Sequence, residues 1–346
     1  MIRRPPEPAD KDSRVVILHK KVSFISFLIL FLFNSLLFSQ VKENQSENQK
    51  ILFKEIWGYV SLGEEGSFSA DYPVTDVGHF AGFISSFSEL APVPKRSDRF
   101  PDFKGRLHLV TNLESKPQTH LMLDPKLPLR NKIIKQLVEQ AKEYDGLQID
   151  WESVLKADDE NFWDFLKLLK KKLKGKMLTV AVPARVKKLE KDAYDYERIS
   201  KIADRVIVMA YDEHWSTSAP GPIASIAWCK RIADYAKSVI PEEKLIMGCH
   251  FYSRAWNNED VGQKAYRMYK IDDLINSNKV TNFKKSKDGE LSFTFEKKTK
   301  ITVFYDTVES ASARCRMYAD QGISKLSFWR IGQEDPKFWN ELKVER

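Results

Sequence analysis

The chain is 346 residues long, 42% hydrophobic and 30% charged, a globular balance that excludes a disordered majority and suits one large α/β domain behind a leader. Its formal net charge is +8, but residues 1–40 hold six Lys/Arg against three Asp/Glu, which leaves only +5 for the remainder. That remainder has no concentrated basic stripe and no binding motif, so a nucleic-acid partner is set aside.

In chain order, the first feature is "RVVILHKKVSFISFLILFLFNSLLFSQ", where Lys20 and Lys21 precede an apolar run over 22–38 with Ser39 at its end. A charged n-region before a long h-region reads as a secretory signal over 1–39, with an uncleaved signal-anchor as the alternative. Residues 40–50 read as a polar linker. The expected location is therefore secreted, periplasmic or in the cell envelope, with membrane contact only through this segment.

From 51 onward, short β-branched and aromatic runs alternate with amphipathic stretches. The predicted strands are "EIWGYV" (55–60), "VGHFAGFIS" (77–85), "RLHLVTN" (106–112), "GLQIDWE" (146–152), "MLTVAVP" (177–183), "RVIVMAY" (205–211), "KLIMGCHFY" (244–252) and "ISKLSFW" (323–329). Helical periods carry Leu129, Ile133, Ile134, Leu137, Val138 and Ala141, then Phe162, Phe165, Leu166, Leu169 and Leu173, with two more near 225–239 and 308–321. Eight strands with helical crossovers over 51–346 predict the α/β class and a closed (β/α)8 TIM barrel, ahead of an open doubly wound sheet. No GxGxxG or Walker loop follows the first strand. The interval 262–300, with "LSFTFEKKTKITVFY" after a short helical stretch, reads as a small α+β insertion between strands seven and eight. Cys229, Cys249 and Cys315 are an odd, widely spaced set, neither a disulfide framework nor a zinc site, and read as buried thiols. No metal or organic cofactor is implied.

Strand four carries the chemistry. Side chains alternate across a strand, so Gln148, Asp150 and Glu152 share one face while Leu147, Ile149 and Trp151 share the other. The apolar trio belongs against the helices, which sends the polar trio inward and up toward the C-terminal rim, where barrel enzymes keep their sites. Two carboxylates in a confined site cannot both ionise cheaply, so one keeps its proton toward neutral pH and can protonate a leaving oxygen. The bland alternative is a strand end whose acids face solvent and cap the next helix. Other strand ends weigh against it: Met209, Tyr211 and Asp212 close strand six, Tyr252 and Arg254 close strand seven, Trp329 closes strand eight and Tyr59 lies in strand one. Aromatic faces converging with acids on one rim suit a sugar subsite.

These residues resemble glycoside hydrolase family 18, the chitinase-like barrels. The resemblance rests on "DGLQIDWE" against the family's DGxDxDxE strand, on "MAYD", on "GCHFYSRAW" and on the strand-eight "FW". It implies a retaining hydrolase of β-1,4 bonds next to N-acetylglucosamine, working by substrate assistance through an oxazolinium intermediate. By the same resemblance Glu152 would be the general acid/base, Asp150 would orient the acetamido N–H, Tyr211 would donate to its oxygen and Trp329 would floor the subsite. Asp145 matches the motif's first acid and would brace the strand, and with Gln148, Met209, Asp212, Tyr252 and Tyr59 it joins the substrate-binding candidates. Gln148 departs from the motif's middle acid. A neutral amide cannot carry charge or trade a proton, and it resembles the spore-cortex and peptidoglycan-processing branch more than ordinary chitinases. The expected partner is a polysaccharide, peptidoglycan or chitin, met by a monomer. A non-catalytic, lectin-like barrel of the same family is the second reading, and an unrelated phosphate-binding isomerase or aldolase barrel the third.

Overall fold

The computed structural model describes residues 50–257, 264–296 and 300–345, so the leader expected over 1–39 and all but the last residue of the linker expected over 40–50 lie outside the described residues. Eight parallel strands close into a barrel: Glu55–Ser61, Asp76–Phe83, Arg106–Asn112, Gly146–Asp150, Met177–Pro183, Arg205–Met209, Leu245–His250 and Lys325–Trp329, the last pairing back onto the first. Each predicted strand coincides with one of these. The fourth stops at Asp150, so Trp151 and Glu152 lie on the turn beyond it.

Outward side chains of the strands join the helices in one continuous core that includes Leu147, Ile149 and Trp151. The helix Asp159–Lys172 shows why. Phe162, Phe165, Leu166 and Leu169 recur at helical spacing on its buried face, Asp159 and Glu160 favour its N-terminal dipole end, and Lys170, Lys171 and Lys172 its C-terminal end. Pro128–Gln140, Ile226–Val239 and Val308–Asp320 cover neighbouring strands in the same way. Thr307 caps the last of these, its hydroxyl accepting from the Ser310 N–H while Ser310 accepts from the Thr307 N–H. The first two crossovers depart from the repeat. Among the described residues they hold only a 3-10 turn, Glu65–Ser67, and a four-residue helix, Arg96–Arg99, because the segment after strand one is rich in Gly, Ser and Pro.

Inside the barrel the residues stack in layers. The floor is ionic: Arg205 binds Glu55 at 2.6 Å, Arg106 binds Asp76 at 2.6 Å, and His108 meets Asp76 at 2.8 Å. Trp57, Ile207 and Ile246 pack above it. Tyr59, Phe80 and Val110 form a higher group that supports Trp329.

Between strands seven and eight the chain builds a five-stranded antiparallel sheet, in the order Lys264–Arg267, Tyr252–Asn257, Lys300–Tyr305, Leu291–Glu296, Phe283–Lys285. The helix Ile271–Ser277 contributes Ile271 to its small core with Ala255, Phe293 and Val303. This excursion is wider than the 262–300 expected from sequence. Its first strand begins at Tyr252, immediately after the barrel strand, and its last ends at Tyr305. The joint is buried and charged: Asp306 takes two hydrogen bonds from Arg314, at 2.9 and 3.1 Å, and lies 3.0 Å from His250.

Candidate active site

The C-terminal ends of the strands open onto a cavity of about 740 Å³. Asp150, Glu152, Met209, Tyr211, Asp212, Tyr252, Arg254 and Trp329 all line it, so eight of the side chains singled out in the sequence meet in one place. Three others do not. Gln148 and Tyr59 are buried below the cavity, where Gln148 Nε2 donates to the Tyr59 hydroxyl at 2.9 Å and Gln148 Oε1 accepts from Thr179 Oγ1 at 3.3 Å. Asp145 lies before the first residue of strand four, at the opposite end of the barrel. There its carboxylate accepts from the Leu107 N–H at 2.8 Å and from Arg96 at 2.7 Å. Placement against substrate is thereby corrected for Gln148 and Tyr59, which sit one layer too deep, and for Asp145, which keeps only the bracing role expected of it, tying strands three and four from below.

The turn that carries Glu152 is held on both sides. Tyr194 donates its hydroxyl to the Trp151 carbonyl at 2.6 Å and accepts from the Val154 N–H at 3.0 Å. The Trp151 indole donates to Thr111 at 3.2 Å, and the Ser153 hydroxyl donates to the Glu114 carbonyl at 2.6 Å. Fixing the backbone before and after Glu152 fixes the direction of its side chain without occupying its carboxyl.

Asp150 is buried, and its Oδ1 takes no hydrogen bond from any described residue. Burial, then the charges of Glu152 and Glu114, push its carboxyl well above the ordinary value. Glu152 keeps access to solvent, and its carboxyl is raised in the same direction by desolvation first, then by Glu114 and Asp212. Tyr211 is held in its phenol form by burial and by the charge of Asp150. Gly248 makes room for that ring, since a Cβ there would lie 3.1 Å from it and 2.9 Å from the Val208 carbonyl. Asp212, at positive φ, accepts from the Tyr252 hydroxyl at 2.6 Å and from Arg254 at 2.5 Å. Trp329 is fixed edge-on against Phe80, with ring centroids 4.4 Å apart.

Several lining residues were missed in the sequence: Asn112 at the end of strand three and Glu114 beyond it, Phe83 at the end of strand two, and Trp215 and Trp228 beyond strand six. Phe83 and Trp215 are half exposed although aromatic, and both face the open cavity. A signal for Glu114 was present. His108, Val110 and Asn112 share the inward face of strand three, and the same alternation continues to Glu114. Among the described residues no cluster of His, Cys, Asp and Glu is arranged to hold a metal ion.

The model of the glycosyl hydrolases family 18 matches residues 123–334, more than half of the chain. The chain is 29% identical over 225 residues to the uncharacterized glycosylase YvbX of Bacillus subtilis (strain 168), covering 62% of this chain and 65% of that protein. It is 26% identical over 228 residues to the cortical fragment-lytic enzyme of Bacillus anthracis, covering 62% and 53%. The chain thus spans between about half and two thirds of the length of these curated relatives. The crystal structure of the Bacillus cereus spore cortex-lytic enzyme SleL superposes with a TM-score of 0.75 over 86% of this chain and 76% of that one. At 21% identity that likeness carries the fold.

Proposed function

The chain belongs to the glycosyl hydrolases family 18, and from that premise we propose that it is a retaining glycosidase cleaving β-1,4 bonds next to N-acetylglucosamine. The observation that carries the proposal is the pair at the end of strand four: a buried Asp150 with a carboxyl oxygen that no described residue engages, beside a Glu152 whose carboxyl is pushed up by desolvation, Glu114 and Asp212.

Glu152 donates that proton to the glycosidic oxygen as the bond to C1 breaks. The acetamido carbonyl oxygen of the same sugar attacks C1 from the opposite face and forms the oxazolinium. Asp150 accepts the acetamido N–H through its open Oδ1 and balances the positive charge that develops there. Tyr211 donates its hydroxyl to the acetamido oxygen, and Trp329 supports the sugar ring from below. Water then adds to C1, giving its proton to Glu152, and two inversions leave the anomeric configuration retained. Met209, Asp212 and Tyr252 wall the cavity, with Arg254 neutralising Asp212.

The substrate is a glycan of the peptidoglycan or chitin type. Peptidoglycan is favoured by the amide at Gln148 and by relatives named for lysis of cortical fragments. The protein acts as a monomer outside the cytoplasm, a location supported by the leader pattern in the sequence. The test is release of reducing ends from chitin oligomers and from purified peptidoglycan. Wild type should release them and Glu152→Gln should lose at least about two orders of magnitude in kcat, with its melting temperature unchanged. Sugar binding by wild type without any turnover would instead identify a lectin-like barrel.

A further inference from the structure

Glu114 has no counterpart among the residues that the proposed mechanism uses, yet it lines the same cavity as Asp150 and Glu152. Its position follows from the register of two parallel strands. Asn112, at the end of strand three, pairs with Asp150 at the end of strand four. Two residues further along each chain come Glu114 and Glu152, with the Ser153 hydroxyl tied to the Glu114 carbonyl at 2.6 Å. The hydrogen bond uses the Glu114 backbone and leaves its exposed carboxylate free to act by charge.

We infer that Glu114 is a positioning residue for the catalytic proton: its carboxylate keeps that proton on Glu152 from the neighbouring strand end, replacing the charge that Gln148 does not supply from below. The inference rests on the role proposed for Glu152. It answers how a site with a neutral amide beneath Asp150 can keep an acid loaded. Gln148 turns its amide to Tyr59 and Thr179, so its dipole is spent within the barrel. The groups facing Glu152 are Asp150 on its own strand, Glu114 from strand three, Asp212 and Tyr211 from strand six, and Tyr194 from the segment after strand five. Asp212 is bound by Arg254, and Tyr211 and Tyr194 are neutral phenols. Glu114 is thus the exposed carboxylate beside Glu152 with no cation bound to it among the described residues. Its charge also acts on Asp150.

The test compares wild type, Glu114→Gln and Glu114→Asp, all with carbon-13 in the glutamate carboxyls, using Glu152→Gln to assign the Glu152 signal. The Glu152 titration should move to lower pH in Glu114→Gln and return most of the way in Glu114→Asp. The displacement should shrink from low salt to about 1 M, because a charge acting through solvent is screened. In reducing-end assays the alkaline limb of kcat/KM should move down in parallel, with a several-fold loss on that side and little change at acidic pH. An unchanged Glu152 titration in a Glu114→Gln protein that melts like wild type would overturn the inference. Because the titration needs no substrate, it tests Glu114 even if wild type cleaves neither glycan, an outcome that would overturn the proposed activity alone.

Discussion

Gln148 lies on the inward face of strand four one step below Asp150, with both ends of its amide engaged by Tyr59 and Thr179. An acid at this place would put a second titratable group beneath Asp150, whose Oδ1 takes no hydrogen bond from any described residue. Gln148→Asp should therefore broaden or shift the pH–rate profile and leave the products unchanged. It should also cost about 2 kcal/mol of stability, since the shorter side chain abandons buried polar partners. Mass spectrometry of the products checks the first expectation and thermal melting the second. A change in which bond is cut would contradict the placement of Gln148 under the site. Alternation along the strands was enough to bring Asp150, Glu152, Met209, Tyr211, Tyr252 and Trp329 to one cavity, and Asp212 joins them from the turn after strand six. It says which face a side chain takes and nothing of its depth, which is why Gln148 and Tyr59 were assigned to substrate. Asp145 differs in parity from Asp150 as well as lying before the strand, and its use as a brace follows from both.

Each barrel strand has two ends with separate duties. The C-terminal ends hold the acids and aromatics, and the N-terminal ends close the floor with Glu55, Asp76, Arg106, His108 and Arg205. Asp76 is fully buried, which works against its charge, but hydrogen bonds from His108 and Arg106 outweigh that and hold its carboxyl below the usual range. The sign follows: a lowered folded pKa gives stability that is present above the unfolded value of 3.8 and is lost as pH falls through the folded one. Asp76→Asn should cost about 3 kcal/mol near neutral pH, as when one partner of a buried pair is removed. The gap from wild type should narrow at pH values below 3.8. Denaturant titrations at several pH values measure this directly. Strand positions were readable because period-two patterns are local. The scant helix in the first two crossovers was less so, because a barrel can be closed by turns wherever neighbouring loops cover the strand.

At the scale of the whole molecule, the excursion between strands seven and eight is joined to the barrel through buried charge. Arg314, on the helix Val308–Asp320, binds Asp306 and lies 3.5 Å from Glu290 of the added sheet. Arg314 also donates to the Ala224 carbonyl at 2.9 Å. Burial, and next the charge of Asp306, push the Glu290 carboxyl up to about 7 against the opposing pull of Arg314. Here the sign is reversed: the stability is fully present below the unfolded value of 4.5 and is lost as pH rises through about 7. Glu290→Gln should consequently melt a few degrees higher than wild type above that range. The two proteins should melt nearly together at pH below 4.5. Calorimetry across the window checks it, and equal melting temperatures at alkaline pH would remove Glu290 from the account of this joint.

The sequence by itself determined the barrel, the strand that carries the acids, and the face to which they point. All of these follow from periods of two and of 3.6 residues, which act over a few neighbours along the chain. Only the tertiary structure decided which strand ends stand side by side and at what height. Closure of the barrel sets the register of Asn112 against Asp150, and with it Glu114 beside Glu152. The same closure buries Gln148 a layer down, and it leaves Tyr252 to begin a second sheet instead of ending the seventh strand. Pairing between distant segments is fixed by hydrogen bonding and packing across the whole barrel, and no local pattern of residues encodes it.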